Sequence, residues 1–249
     1  MVMCGRYAIH VDIDSLSELF DANASNVDYL PRYNVAPTES APVVLNAKKD
    51  PETGLSPGRV IEMCRWGLIP SWSTDASMGA KMINARSESL SEKSAFRKAF
   101  ESRRCIVPVS GFYEWKQNVK RRKGDPPLQP IYARPVDGEV FGLAGLWELW
   151  RPPGGELLKS FTIVTVPAND VLAKYHERMP AILTPDAQRI WLDPAEHNAG
   201  LLESVLRPMR SNVMQVYPVT PAVNTAGVDD PSFVERVDVV STGTLSIDF

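Results

Sequence analysis

The chain has 249 residues, 44% of them apolar and 23% charged, with a formal net charge of −3. That balance excludes a disordered or collagen-like chain and a bulk polyanion binder, leaving nucleic acid only a local basic groove. No run of about eighteen apolar residues could span a membrane, and MVMCGRYAIH lacks the regions of a signal peptide, so a cytoplasmic protein is expected.

The first helical pattern covers 14–20, opening on an acidic cap and placing Leu16, Leu19 and Phe20 on one face. Strands follow at 42–46 and 60–66, rich in β-branched residues. Residues 89–102 carry Leu90, Phe96, Ala99 and Phe100 at roughly helical spacing. Strands at 105–109 and 112–116 run into a basic stretch, 116–123, which reads as a solvated loop. Further strands are expected at 131–134, 140–147 and 161–166. A helix over 184–192 starts with Thr184 at N-cap and Pro185 at N1, and another covers 197–206 before a last strand at 213–219. Beyond Asn224 the chain is acidic and weakly patterned, so 1–225 reads as one domain and 226–249 as a tail expected to be partly disordered. The 21 prolines forbid long helices. Strands outnumber helices without alternating with them, which predicts an α+β single domain with a mixed, barrel-like β-core flanked by short helices.

The three cysteines, Cys4, Cys64 and Cys105, form no CxxC, and His10, His176 and His197 show no HxxxH spacing. No metal site is expected, and in a reducing compartment the cysteines are thiols. No GxGxxG, GxxxxGK[ST] or GxSxG occurs, so no nucleotide cofactor and no hydrolase elbow are expected.

Four clusters exceed what a core or a turn needs. In Met3-Cys4-Gly5-Arg6-Tyr7 a lone cysteine is ordinarily a small buried hydrophobe. Were Cys4 residue one, its amine and thiol would sit on adjacent carbons, both nucleophilic near neutral pH. The polar residues of 83–88 suit helix caps; extended, they put Asn84 and Arg86 on one side, an amide beside a guanidinium that fits a phosphate. In 111–115 alternation sets Phe112 and Glu114 on one face and Tyr113 and Trp115 on the other. Glu114 is then an edge residue or a carboxylate whose apolar surroundings raise its pKa toward acid–base use. In 174–180, His176 ends a helical stretch before a proline-fixed turn, a place where side chains point into clefts, although a single histidine is more often structural than catalytic.

Together these stretches resemble the SOS response-associated peptidase (SRAP) family, which includes abasic-site processing proteins. The matching segments include MCGRY, PRYNVAPT, WGLIPSW, INARSE, RRCIVP, GFYEW, AGLWE and HERMPAIL, in order over about nine tenths of the chain. The resemblance implies a mixed β-core ringed by helices, a positively charged cleft for single-stranded DNA and a role in the DNA damage response. It implies that Cys4 becomes N-terminal and forms a thiazolidine with the ring-opened aldehyde of an abasic site. It further implies that Asn84 orients the Cys4 amine and the sugar, that Glu114 and His176 are the acid–base pair, and that Arg86 holds the flanking phosphate. Arg6 and Arg178 become further backbone contacts, and Trp72 an aromatic surface for neighbouring bases. A monomer without cofactor is expected.

The family's usual Met-Cys start is replaced here by Met1-Val2-Met3-Cys4. Either translation starts at Met3 or the protein cuts itself before Cys4. Two other readings stand beside this one: a thiol peptidase acting on other proteins, with Cys4 as nucleophile and His176 as base, and a non-catalytic single-strand binding module.

Overall fold

The structure, a computed structural model, describes residues 4–25, 27–47, 58–116, 127–152 and 154–238. In chain order the first half holds β1 (Tyr7–Ile9), α1 (Ile13–Phe20), β2 (Ala22–Asn23), β3 (Arg32–Val35), β4 (Ser40–Ala47), β5 (Gly58–Trp66), β6 (Asn84–Arg86), α2 (Arg97–Ser102), β7 (Arg104–Val109) and β8 (Gly111–Trp115). The second half holds β9 (Pro130–Pro135), β10 (Phe141–Trp150), β11 (Leu158–Pro167), β12 (Arg178–Pro180), β13 (Ile182–Leu183), α3 (Pro185–Leu192), α4 (Ala199–Ser204) and β14 (Met214–Pro218).

Five strands close on themselves. β4 pairs with β5, β11 with β10, β10 with β7 and β7 with β4, all antiparallel. The ring is completed by a parallel pairing of β5 with β11, which sets Arg65 against Ser160 and Trp66 against Phe161. Closure leaves no open edge in the ring, and its interior is packed with side chains. Trp66, Phe161, Val107, Cys64 and Cys105 are buried in one large cluster. Gly145 faces Cys105 across β10 and β7, and a methyl group there would lie 2.8 Å from the Cys105 sulfur. The fold is therefore α+β with a barrel-like β-core, as the strand-rich pattern predicted.

A second, wholly antiparallel sheet runs in the order β14-β9-β8-β1-β3. Only Ser110 separates β7 of the barrel from β8, and its amide donates to the Ala8 carbonyl at 2.7 Å, so the chain steps straight from one sheet into the other. This makes β8 a buried strand. Phe112 joins the barrel core, while Tyr113 joins a smaller cluster with Ala8, Tyr132, Val219, Val223 and Phe233. Gly111 is demanded by that layer, because a Cβ there would sit 2.2 Å from the Tyr132 ring.

Helix starts follow their caps. Thr184 accepts from the Ala187 amide with Pro185 opening α3, as read from the sequence. Asn198 caps α4. For α1 the cap is Asp12, two residues before the expected Asp14, and Leu19 is exposed while Leu16 and Phe20 are buried. The helix expected over 89–102 shrinks to α2 because four serines between 87 and 94 offer side chains that compete for backbone groups. The stretch before His176 is a 3₁₀ turn, Leu172–Lys174, and the expected proline turn is the short strand β12 beside β11.

Residues 226–238 lie along the second sheet: Asp229 accepts from the Tyr33 amide and Phe233 is buried. The end of the tail, 239–249, and most of the basic stretch, 117–123, lie outside the described residues. Among the described residues no helix is long and apolar enough to cross a membrane.

Candidate active site

Strand β8 carries Glu114 into the space between the two sheets, on the Phe112 face that the two-residue period assigns to it. There it meets the start of the chain. The Cys4 amide donates to Glu114 Oε1 at 2.7 Å, joining residues 110 positions apart. Both groups are buried, Cys4 at 0% exposure and Glu114 at 4%. Burial pushes the Glu114 carboxyl up to about 8, against the opposing hydrogen bonds from the Cys4 and Trp115 amides. Burial, and then the nearby Glu114 charge, push the Cys4 thiol well above its ordinary value. Cys4 also holds a left-handed backbone conformation, φ 43°, which costs a residue with a Cβ on the order of 1–2 kcal/mol. A buried carboxyl that titrates near neutral pH can give or take a proton at the adjoining nitrogen.

Behind this pair lies an aromatic wall. The Tyr7 ring sits 5.0 Å from that of Trp66, and the Tyr7 hydroxyl is buried with no hydrogen-bond partner among the described residues. Trp66 donates from its indole nitrogen to the Ile83 carbonyl at 3.0 Å, which anchors the entry to β6. β6 then runs parallel to β11, with Asn84 beside Ile163 and Arg86 beside Thr165, so Asn84 is half-buried and Arg86 exposed.

A charged lip forms where β6 and β12 flank β11. Arg178 donates through both terminal nitrogens to Glu88, at 2.8 and 2.9 Å, and through Nε to the Thr165 hydroxyl at 3.3 Å. The Arg178 amide donates to His176 Nδ1 at 3.0 Å. His176 is buried, and burial lowers its pKa, helped by Arg178 and Arg86 and opposed by Glu177. Arg86 and Glu177 form a loose, exposed pair at 3.8 Å.

The remaining expected contacts divide. Trp72 is 57% exposed on a fixed loop: the Ser73 amide donates to Pro70, and the Trp150 indole donates to the Ser73 carbonyl at 2.7 Å. Arg6 points into the protein, donating to Asn34 Oδ1 and the Val223 carbonyl, each at 2.8 Å, and so ties the N-terminal segment to the segment after β14. Cys4 and Glu114 thus touch directly, while Arg86, His176 and Arg178 gather at the end of β11. Sequence reasoning gave Tyr7, Thr165 and Glu88 no role, although Tyr7 and Glu88 lie inside the singled-out clusters.

Cys64 and Cys105 are buried free thiols inside the barrel. Among the described residues no three His, Cys, Asp or Glu side chains gather as a metal set. A cavity of about 1050 Å³ beside Phe20, Arg59, Phe141 and Gln188 includes none of the site residues.

The family model described as SOS response associated peptidase (SRAP) matches residues 3–226. The chain is 37% identical over 236 residues to Abasic site processing protein YoqW of Bacillus subtilis, covering 94% of this chain and 99% of that protein. It is 34% identical over 226 residues to Abasic site processing protein HMCES of Xenopus tropicalis, covering 84% of this chain and 67% of that one. A crystal structure of a protein from Bacteroides thetaiotaomicron shares the fold with a TM-score of 0.76 at 24% identity, over 94% of this chain and 100% of that one. The family model's match spans both sheets and includes Cys4, Asn84, Glu114 and His176: the chain belongs to the SOS response associated peptidase (SRAP) family.

Proposed function

We propose that this protein processes abasic sites in single-stranded DNA by linking Cys4 covalently to the ring-opened sugar. The observation that carries the reading is the 2.7 Å bond between the Cys4 nitrogen and a buried carboxyl that titrates near neutral pH. Relatives named as abasic site processing proteins, matched over most of the chain, supply the substrate class.

The chemistry needs a free amine at Cys4. The amine adds to the aldehyde carbon, and the carbinolamine loses its hydroxyl as water to leave an imine. The thiol then adds across the C=N bond: sulfur bonds to carbon, its proton ends on nitrogen, and a thiazolidine closes. Each step moves protons between neighbouring atoms, the task for which a carboxyl raised to about 8 and an imidazole are suited. Glu114 and His176 serve those transfers, Asn84 orients the amine and sugar, and Arg86 and Trp72 hold the strand by phosphate contact and base stacking. Arg178, whose guanidinium already bonds within the protein, shapes the wall and shares its remaining N–H with the DNA backbone, while Arg6 holds the N-terminal segment from inside.

Release of Met1–Met3 by self-cleavage, in which water gives its hydroxyl to the Met3 carbonyl carbon and a proton to the Cys4 nitrogen, frees that amine. The left-handed backbone at Cys4 and the carboxyl on its amide nitrogen both favour breaking the preceding peptide bond. A thiol peptidase acting on other proteins needs instead an accessible thiolate of lowered pKa. Burial of Cys4 pushes its thiol the other way.

The test is incubation with an abasic oligonucleotide, read on a denaturing gel with the intact mass of the protein. The expected result is a heat-stable adduct on protein that starts at Cys4. Cys4→Ala abolishes the adduct, whereas Cys64→Ala and Cys105→Ala retain it. A heat-stable adduct that survives Cys4→Ala and is lost in either of the other two sinks the reading.

A further inference from the structure

His176 has one ring nitrogen committed. A backbone N–H can only donate, so the 3.0 Å bond from the Arg178 amide obliges Nδ1 to present a lone pair. The neutral ring must then carry its proton on Nε2. For His176 to accept a proton at Nε2, it must first surrender the one already there, either outward or to Nδ1. Moving it to Nδ1 breaks the bond and strands a main-chain donor without a partner.

The amide that enforces this state is itself pinned. β12 pairs with β11 in a register that sets Arg178 beside Pro167. The Arg178 side chain, only 11% exposed, spends its Nε on the Thr165 hydroxyl and one terminal nitrogen also on the Thr165 carbonyl. That hydroxyl passes its own proton to the Ala85 carbonyl, tying the cluster to β6. The outer end is closed by Glu88, fork to fork, in the bidentate geometry that is the strongest and most directional of ion pairs. Glu88 therefore fixes Arg178, and Arg178 fixes the imidazole, although Glu88 makes no hydrogen bond to His176.

We propose that Glu88 is a positioning residue. Through Arg178 it holds His176 as the neutral Nε2–H tautomer, so that His176 serves the reaction as a hydrogen-bond donor and proton transfer falls to Glu114. This deepens the abasic-site reading and rests on it for the reaction concerned, narrowing the part of His176 in it from proton carrier to hydrogen-bond donor. A neutral imidazole donor suits the oxygen of an aldehyde or carbinolamine, where negative charge builds as the amine adds. It stabilises that charge without changing its own protonation state.

The tautomer can be read directly in free protein labelled with nitrogen-15 histidine. The chain has three histidines, so a His176→Gln spectrum assigns the ring. In long-range proton–nitrogen correlations the wild type should show a protonated Nε2 and a bare Nδ1. Glu88→Ala should mix the tautomers and lower the single-turnover rate at saturating abasic oligonucleotide by about 10- to 100-fold, the scale of a small misplacement. The half-saturating concentration should move less, and Glu88→Asp should recover part of the rate. His176→Gln, which can donate but cannot act as a base, should react faster than His176→Ala.

Three results overturn the proposal: a wild-type ring protonated on Nδ1, a Glu88→Ala protein with unchanged spectrum and rate, or equal loss in His176→Gln and His176→Ala. If Glu88→Ala does not fold, the wild-type spectrum and the Gln–Ala pair still decide. An adduct-forming wild type with the wrong tautomer overturns this proposal alone. A wild type with the expected spectrum and no adduct overturns the abasic-site reading, and with it the part given to Glu88.

Discussion

Glu114 lies at the floor of the site and Glu88 at its lip, and the two carboxyls are pushed in opposite directions. Glu114 sits among Phe112, Cys4 and the barrel core with two amide donors, and desolvation outweighs both, raising it to about 8. Glu88 is half exposed with the Arg178 guanidinium across it, and that hydrogen bond holds it below its usual range. The same side chain thus becomes a proton carrier in one place and a permanent anion in the other. Burial without a cation makes chemistry, and a cation at the surface makes scaffolding.

The sharpest way to break that contrast is Glu114→Gln. As a carrier of protons, Glu114 is worth about 10²- to 10⁴-fold in rate, so the variant should fall by that much in adduct formation. Its stability should report the same desolvation with a definite sign. The folded pKa lies above the ordinary 4.5, so the folded state holds the proton more tightly than the unfolded one. The stabilising contribution is complete below pH 4.5 and is lost as the pH rises toward about 8. Thermal melts across that interval should show Glu114→Gln gaining on the wild type by up to a few kcal/mol, then holding a constant lead at higher pH. A lead that does not depend on pH would mean that Glu114 stays ionised throughout, and the floor would then be no different from the lip.

At the rim, Trp72→Ala should weaken binding to single strands by about 1–3 kcal/mol, the worth of one stacked base, whatever the sequence. Duplex DNA should be nearly indifferent to the change. Arg86→Ala should cost less at moderate salt. Its signature is a slope of log K against log[salt] shallower by about 0.7, the value of one single-strand phosphate contact. Equilibrium binding to an intact oligonucleotide at several salt concentrations separates these two effects. An Arg86 change that leaves the slope alone would take it out of the DNA path.

How far these features could be read from the sequence depended on the length of the pattern that encodes them. Eight strands with alternating or β-branched runs, such as 60–66, lie within three residues of their observed ends. The three- and four-residue strands β1, β3, β6 and β12 are too short to express a period, and their pairing partners define them. The inward face of Glu114 was legible because β8 obeys the two-residue alternation. Its bond to Cys4 was not, since nothing local joins positions 110 apart. Arg6 was equally opaque, because two of its three acceptors are main-chain carbonyls, which leave no residue type to recognise. Glu88 stood in plain sight in INARSE, but a carboxylate after a short strand reads as a cap until Arg178, 90 residues on, is seen across from it.

The smallest expected effect compares two carboxylates on the lip itself. Glu177 approaches Arg86 only to 3.8 Å, and both side chains are largely exposed. An exposed pair of that geometry is worth about 0–1 kcal/mol, so Glu177→Ala should leave the melting temperature nearly where it was. Its influence on DNA should be opposite in sign to that of any arginine lost from the rim. Glu177 competes with a phosphate for Arg86 and repels the strand, and removing it should tighten non-covalent binding by roughly twofold to threefold at low salt. The gain should fade as salt screens the rim, because nothing buries the pair. Glu88→Ala also removes a carboxylate from an arginine on this lip, but it unlocks a side chain that is nearly buried and bonded on every nitrogen. Its main effect should therefore fall on the rate of the covalent step. If Glu177→Ala slows that step as much as Glu88→Ala does, the two acids are equivalent, and the separation of a pinned scaffold from a loose surface pair fails.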